Sequence, residues 1–314
     1  MKHSFYNKNS LSKKFSKPFV GIDIRNNSIK FAELVPGKQG LELGKIGERE
    51  IPEGIIESED PKEALEKILK SMRKKEGIHY AKVSIPEDQI YTFEIRIPKV
   101  GKKEMYQAIG INLENLLEAP ASDLVFDYAV MSEDEASHKV RVTVSSRAVI
   151  ENYLEIFEHA GITVIGFELR AVALARSVIP KTDTRMYMIV DCGEFETEIS
   201  IVSDGAVLLS SVINKGMTSR NFLLLKNEIN KDYIEWHSRK ENAASGKKIE
   251  KIILSGSGAS VSGLADYLSS NLKITTELAN VWGNINSFDN YIPPLAFKES
   301  LDYATVLGLA LQEK

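Results

Sequence analysis

Apolar and polar residues alternate through "FVGIDIRNNSIKFAELV", residues 19–35, on both sides of a polar centre, which is the pattern of a β-hairpin. A third strand is predicted at "LELGKIGEREI". "DPKEALEKILKSMRKKEG", residues 60–77, changes to a helical period, with Ala64, Leu65, Ile68, Leu69 and Met72 on one face. Asp60 is its expected N-cap, Pro61 its first helical residue and Gly77 its end. "YAKVSIPE" then returns as a strand.

The order of elements changes at residue 89. "YTFEIRIP" reads as a strand, and "KKEMYQAIGINLENLLE" as a helix with Met105, Ile109, Leu113 and Leu116 on one side. "LVFDYAVM" and "KVRVTVSS" are two strands about the acidic turn "SEDEASH", and "RAVIENYLEIFEHAG" is a helix closed by Gly161. Residues 89–162 therefore read as an α+β insertion. A main sheet resumes with the strand "TVIGFEL" and the helix "RAVALARSVI". A second hairpin, "RMYMIVDCGEFETEISIVSDG", and a third strand, "AVLLSSVIN", follow. "MTSRNFLLLKNEINKDYIEWHSRKEN" is one helix with a seam of Phe222, Leu225, Ile229, Tyr233 and Trp236, and "AASGKK" is a turn. "IEKIILSGSGASVSGLADYLSSNL" is strand, glycine turn and helix; "ITTELAN" is a strand and "SLDYATVLGLALQ" a closing helix.

The two hairpins form a degenerate repeat. Asp23 stands at one turn and Asp191 at the other, 168 positions on, with Ser28 and Thr197 re-entering the second strands. Two such copies imply two similar lobes rather than a solenoid.

Composition adds mainly exclusions. With 314 residues, 43% hydrophobic and 27% charged, the chain is an ordinary globular protein with room for two lobes. A net charge of −4 and no basic stripe interleaved with aromatics give no nucleic-acid footprint. The single cysteine, Cys192, precludes an intrachain disulfide and reads as a small apolar filler in a strand. Five histidines are scattered without metal-ligand spacing. No apolar run reaches the roughly 18 residues of a spanning helix, so a cytoplasmic location is expected. Residues 1–17 carry five lysines and no acid, with Phe5, Leu11 and Phe15 among them. That leader reads as a disordered basic tail or as a contact with anionic lipid, where each basic residue adds about 1 kcal/mol.

Three places carry candidate chemistry. Hairpin turns expose backbone N–H groups that suit phosphate oxygens. An aspartate at the start of such a turn can hold Mg²⁺ through water, and Asp23 and Asp191 sit there. Asn26, Asn27, Ser28 and Lys30 in the first hairpin, and Gly193 and Thr197 in the second, complete the candidate phosphate contacts. In "LSGSGASVSGLADYL", Gly256 and Gly258 end a strand ahead of a helix, which lets a ring or phosphate approach the backbone.

In this order, "VGIDIRNNSIKFAEL", "VDCGEFETEIS" and "ILSGSGASVSGLADYL" resemble the phosphate-one, phosphate-two and adenosine motifs of the actin-like ATPases. The insertion resembles the relocated subdomain of the FtsA and PilM families. "IPKVGKKEMYQAIGINLENLLEAPASDLVFDYAVM" and "ATVLGLALQ" resemble the PilM family of type IV pilus assembly proteins. The resemblance covers residues 18–314 and implies an α/β fold of two ribonuclease-H-like, actin-type lobes. The expected domains are a basic leader (1–17), lobe 1 (18–88 and 163–183, closed by a helix at 300–314), the inserted subdomain (89–162) and a reduced lobe 2 (184–299).

The resemblance also implies a cofactor, ATP with Mg²⁺ on Asp23 and Asp191, and a partner, the N-terminal peptide of a PilN-like bitopic membrane protein. A pilus motor ATPase or platform protein is a further implied partner, and the implied place is the inner face of the cytoplasmic membrane. Three departures weaken the cofactor. Arg25, Asn26 and Asn27 replace the glycine and two serines of the family's first hairpin. Glu194, Phe195 and Glu196 fill a turn where small or hydroxyl residues are usual; one uncompensated carboxylate about 5 Å from a phosphate costs roughly 3 kcal/mol, about a hundredfold in affinity. Only 31 residues lie between Gly216 and Lys248, so one wall of the nucleotide cleft is expected to be missing. The expectation is a scaffold with degenerate ATP binding and no productive hydrolysis. The alternatives are an ATP-driven switch and an FtsA-like membrane-associated filament protein; a sugar or acetate kinase ranks last, because no general-base aspartate is readable.

Overall fold

Local pattern and tertiary packing agree over most of the chain. The computed structural model describes residues 17–25, 27–52, 55, 61–86, 89–239, 248–287 and 291–311. The expected cap Asp60 and most of the 243–248 turn lie outside them. The chain divides into two units, one running to Phe19 and then over Ile51–Leu169, the other made of Val20–Glu50 and Arg170–Leu311.

In the first unit, α1 (Pro61–Glu76) buries Leu65, Leu69 and Met72 and stops where Gly77 turns left-handed at φ 65°. β4 (Tyr80–Ile85) pairs in parallel with β8 (Thr163–Leu169). A separate antiparallel sheet runs in the order β5 (Tyr91–Pro98), β7 (Ser137–Ser146), β6 (Leu124–Glu133). Alternate residues of β7 are buried, so Val140, Val142 and Val144 face the apolar side of α2 (Lys102–Leu117), with Met105, Ile109 and Leu113. Tyr106 stacks on Phe126 at 4.2 Å between centroids, while Leu116 stays half exposed. α3 (Arg147–His159) lies on α1, joined by the ion pair Lys62–Glu155 and by a 2.8 Å contact between the His159 ring and the Glu66 carboxylate.

In the second unit, β1 (Val20–Ile24), β2 (Ser28–Pro36) and β3 (Leu41–Glu50) form an antiparallel meander. α4 (Arg170–Val178) follows, then a five-stranded sheet in the order β11 (Ala206–Ile213), β10 (Thr197–Ser203), β9 (Met186–Cys192), β12 (Ile249–Ser255), β13 (Thr276–Leu278). All of β9 and β10 is buried; β9 reads as a nearly continuous apolar run, whereas β10 also buries the polar Thr197, Glu198, Ser200 and Ser203. α5 (Phe222–Ser238) buries Leu225, Ile229 and Trp236, and packs beside α6 (Leu264–Leu272). The helix starts later than the pattern suggests, because residues 217–221 form a loop in which the Asn221 side chain donates to the Gly216 carbonyl.

The expected closing helix, from Ser300 on, begins instead as a 3₁₀ turn (Leu301–Tyr303) after the short α7 (Phe297–Ser300), and is α-helical only over α8 (Ala304–Ala310). The cause is visible: the Leu301 carbonyl accepts the Gly256 N–H and the Ser255 hydroxyl, each at 3.0 Å, and so leaves the helical ladder. α8 then lies on α4 at Gly308, where a Cβ would stand 1.8 Å from the Ala173 carbonyl oxygen.

Candidate functional site

The two hairpins repeat one geometry. Asp23 and Asp191 are each the penultimate residue of their first strand, and Ser28 and Thr197 each open the return strand. All four are buried. Strand β12 runs parallel to β9 with Ser255 opposite Asp191, so the Gly256 turn arrives at the same strand end. Ends of parallel strands are where α/β sheets present ligand sites. The predicted residues of all three segments thus belong to one unit, apart from Asn26, which lies outside the described residues.

What fills that place is arginine. The Arg25 guanidinium donates from Nε to Asp23 at 2.8 Å and from Nη2 to Asp191 at 2.6 Å. Its side chain is 11% exposed and the two carboxylates are 2% and 3% exposed, so the pairs are shielded from water. Burial works to lower the Arg25 pKa, but the charges of Asp191 and Asp23 and their hydrogen bonds outweigh it and hold it well above its ordinary value. The guanidinium therefore remains a permanent cation bridging the two aspartates that sequence reasoning assigned to Mg²⁺.

A second arginine answers the Glu196 problem. Arg170, the first residue of α4, donates to Glu196 at 2.7 Å and to Asp23 at 3.2 Å, and its Nη1 lies 4.0 Å from Glu198. A positive side chain at a helix N-terminus works against the helix dipole. Placement there costs energy that the surrounding carboxylates repay. Glu194 accepts from the Asn27 amide at 3.0 Å, so both turn glutamates have partners across from them.

The other predicted contacts are engaged inside the chain. The Gly193 N–H donates to the Glu196 carbonyl at 2.9 Å and to that of Asp191 at 3.2 Å, which closes the turn. The Thr197 hydroxyl donates to the Lys215 carbonyl at 2.9 Å. The Arg25 N–H donates to the Ser28 carbonyl at 2.8 Å. Lys30 pairs with Asp302 and lies 3.8 Å from Glu48. Gly256 has φ 85°, and a Cβ on it would meet the Cys192 carbonyl at 2.4 Å and the Asp191 carboxylate at 2.8 Å. A Cβ on Gly258 would stand 2.6 Å from that of Met217. Close approach to the chain's own strand accounts for both glycines. Burial pushes the Cys192 thiol pKa up, and the charge of Asp191 adds to it, so the thiol is held unreactive.

Sequence reasoning did not assign Arg170, Glu198 or Asp302 to this place. The one available signal was Arg170, a charge opening a helix against its dipole in an otherwise apolar run. Asp23, Asp191, Glu196 and Glu198 thus gather around the guanidinium groups of Arg25 and Arg170. Among the described residues no group of three or more His, Cys, Asp or Glu side chains is arranged to hold a metal ion. In this structure the polar groups that the sequence assigned to a phosphate and its cation are engaged with one another.

The family profile described as type IV pilus assembly protein PilM matches residues 21–216 and 238–314. The chain belongs to the PilM family. The break in the match, residues 217–237, falls on a loop and most of α5, within the segment between Gly216 and Lys248 that the sequence marks as short. Among solved structures, a chain of a PilM–PilN type IV pilus biogenesis complex superposes with a TM-score of 0.75 at 18% identity, over 93% of this PilM-family chain and 97% of that one. The cytoplasmic domain of EpsL, an inner-membrane component of the type II secretion system of Vibrio cholerae, gives 0.51 at 13% identity over 93% and 95%. MreB5 of Spiroplasma citri bound to AMPPNP gives 0.50 at 13% identity over 94% and 95%. These likenesses show the fold, which is the two-lobed, actin-like α/β fold. A search of curated proteins returns no match. No helix among the described residues is long and apolar enough to cross a membrane.

Proposed function

We propose that this PilM-family chain is a nucleotide-independent scaffold of type IV pilus assembly that holds the N-terminal cytoplasmic peptide of a PilN-like bitopic membrane protein. Family membership supports the pilus role, and the likeness to a chain from a PilM–PilN complex supports the partner. The nucleotide-independent part is carried by one observation: Arg25 bridges Asp23 and Asp191, where a hydrated Mg²⁺ would otherwise sit. ATP binding, in this reading, is degenerate. The same proposal includes lobe 1 at 18–88 and 163–183, the inserted subdomain at 89–162 and a reduced lobe 2 at 184–299. It also includes a peripheral position at the inner membrane, beside a motor ATPase or platform protein.

An edge strand favours an extended peptide. β5 lies at the edge of its sheet, with Tyr91 57% exposed and stacked on Phe93 at 6.3 Å between centroids. A peptide strand added there would gain backbone hydrogen bonds, with the Tyr91 and Phe93 rings beside it. Calorimetry with the partner's N-terminal peptide, with and without Mg·ATP, tests the whole reading. Equal affinity in both arms is expected, and a complex that forms only with ATP would defeat it. The likeness to MreB5 bound to AMPPNP favours a second reading, an ATP-driven switch. That reading requires ATP affinity that Asp191→Ala abolishes.

A further inference from the structure

Glu133 ends β6 and His138 stands second in β7, so the two are cross-strand neighbours on either side of the acidic turn. The His138 side chain is buried, 7% exposed, whereas that of Glu133 is 61% exposed. The His138 Nε2 lies 3.2 Å from the carbonyl of Val100, in the link between β5 and α2. A carbonyl only accepts, so Nε2 carries the ring hydrogen in this contact, and Nδ1 of the neutral ring keeps a bare lone pair. That Nδ1 is buried and has no hydrogen-bond partner among the described residues. What it faces is the Glu133 carboxylate, with Nδ1 and Oε2 3.4 Å apart.

A carboxylate is an acceptor as well, and 3.4 Å exceeds the roughly 2.7–2.9 Å of a charge-assisted N–H···O hydrogen bond. His159 gives the contrast: its Nδ1 meets Glu66 at 2.8 Å, a hydrogen-bonding distance. Two acceptors facing each other match a cation held between them. Zn²⁺ binds imidazole nitrogen at about 2.0–2.1 Å and carboxylate oxygen at about 2.0–2.2 Å, and at the tetrahedral angle those bonds set the two donors about 3.4 Å apart. An octahedral ion such as Mg²⁺, with donors at right angles and about 2.0–2.1 Å away, would bring them to about 2.9 Å. Ligating histidines donate their second ring N–H to a carbonyl or carboxylate, which fixes the tautomer and the direction of the ring; Val100 has that place here.

We infer that His138 Nδ1 and the Glu133 carboxylate form a Zn²⁺ site at the end of the β6–β7 hairpin, with Val100 orienting the ring. Asp134 is not a third ligand, because its carboxylate closes the turn by accepting the Ala136 and Ser137 N–H groups at 2.9 and 2.7 Å and the Ser137 hydroxyl at 2.9 Å. Two protein donors leave the other positions to water, so binding is reversible and weaker than at a closed four-ligand structural site. The exposed Glu133 side chain can swing aside to admit the ion. Once bound, the ion pins the hairpin end and, through Val100, the start of α2. Spacing along the chain hides this pair, because the second donor arrives across the hairpin. The inference requires neither the proposed peptide partner nor a nucleotide.

Titration of the tag-free full chain with Zn²⁺, after treatment with a chelator and against a metal-binding dye, tests it. One saturable Zn²⁺ per chain is expected. His138→Gln should weaken binding at least about tenfold, since loss of even an outer partner of a ligand costs that much. Glu133→Gln, at an exposed position that leaves the core intact, should weaken it likewise, and His159→Gln should bind as the wild type does. Nitrogen NMR of the imidazole-labelled chain identifies the atom: Zn²⁺ should shift the His138 Nδ1 resonance while Nε2 keeps its hydrogen. The melting temperature of the wild type should rise with Zn²⁺, and that of Glu133→Gln should rise less. Absence of saturable binding would overturn the inference. So would unchanged affinity in Glu133→Gln, or an Nδ1 that stays protonated toward Glu133 at every Zn²⁺ concentration, the signature of an imidazolium–carboxylate pair only.

Discussion

At the scale of single residues, the decisive group is Arg25. A glycine at that position would leave Asp23 and Asp191 facing each other as two buried anions; the arginine supplies a planar, always-charged fork that reaches both. Breaking a buried ion pair by deleting one partner costs about 3–5 kcal/mol, because the remaining charge stays desolvated. Arg25→Ala should lose stability in that range by urea denaturation, and Arg25→Lys should recover only part of it, since one ammonium cannot reach both carboxylates with the same geometry. With the guanidinium gone, millimolar Mg²⁺ should restore some of the lost stability of Arg25→Ala while leaving the wild type unmoved. An Mg²⁺ effect no larger in the variant than in the wild type would show that the aspartates do not act as a pair. Cys192 gives a simpler check. Fully buried, with its thiol pKa pushed up, it should resist iodoacetamide in the native protein and react fully in denaturant.

Elements carry the next level of constraint. The Gly256 turn holds a left-handed backbone against β9, and Leu301 caps it from below, so Gly256→Ala combines a conformational cost of roughly 1–2 kcal/mol with displacement of the Cys192 carbonyl. Its melting temperature should fall by more than that of any exposed glycine change. On α5, burial pushes the Asp232 carboxyl pKa up, against a 2.5 Å hydrogen bond from Ser211 that favours the charged form. The folded pKa lies above the unfolded one, so this group costs stability as pH rises through the carboxylate range. Asp232→Asn should therefore be more stable than wild type near neutral pH, and the difference should close below about pH 4, near the unfolded carboxylate value. The hairpins, the strands and helices between residues 91 and 159 and the α5 seam were legible in the sequence because strand alternation and helical period are local signals. The split of the closing helix was not, because it depends on Ser255 and Gly256 reaching Leu301 across more than forty positions. The site was half legible for the same reason. The spacing of Asp23, Asp191, Thr197 and Gly256 can be read along the chain, but the pairing of Arg170 with Glu196 is made only by folding.

For the whole molecule the question is what the inherited actin-like frame is now used for. Interactions within one chain stabilise it without any ligand, whereas a bound ligand adds stability only in proportion to its concentration over its dissociation constant. In an ATP-dependent member of this fold the strand ends around Asp23 and Asp191 would gain stability from Mg·ATP. Here Arg25 and Arg170 supply cationic contacts at those strand ends from the sequence itself. The melting temperature of the full chain should therefore stay fixed on adding millimolar Mg·ATP. A saturating partner peptide should raise stability by about 2.7 kcal/mol at a hundredfold excess over its dissociation constant. The two ligands together should give the peptide effect alone. If Mg·ATP raised the melting temperature by itself, or enlarged the peptide's effect, the arginine cluster would be a displaceable gate and the chain a switch rather than a fixed support.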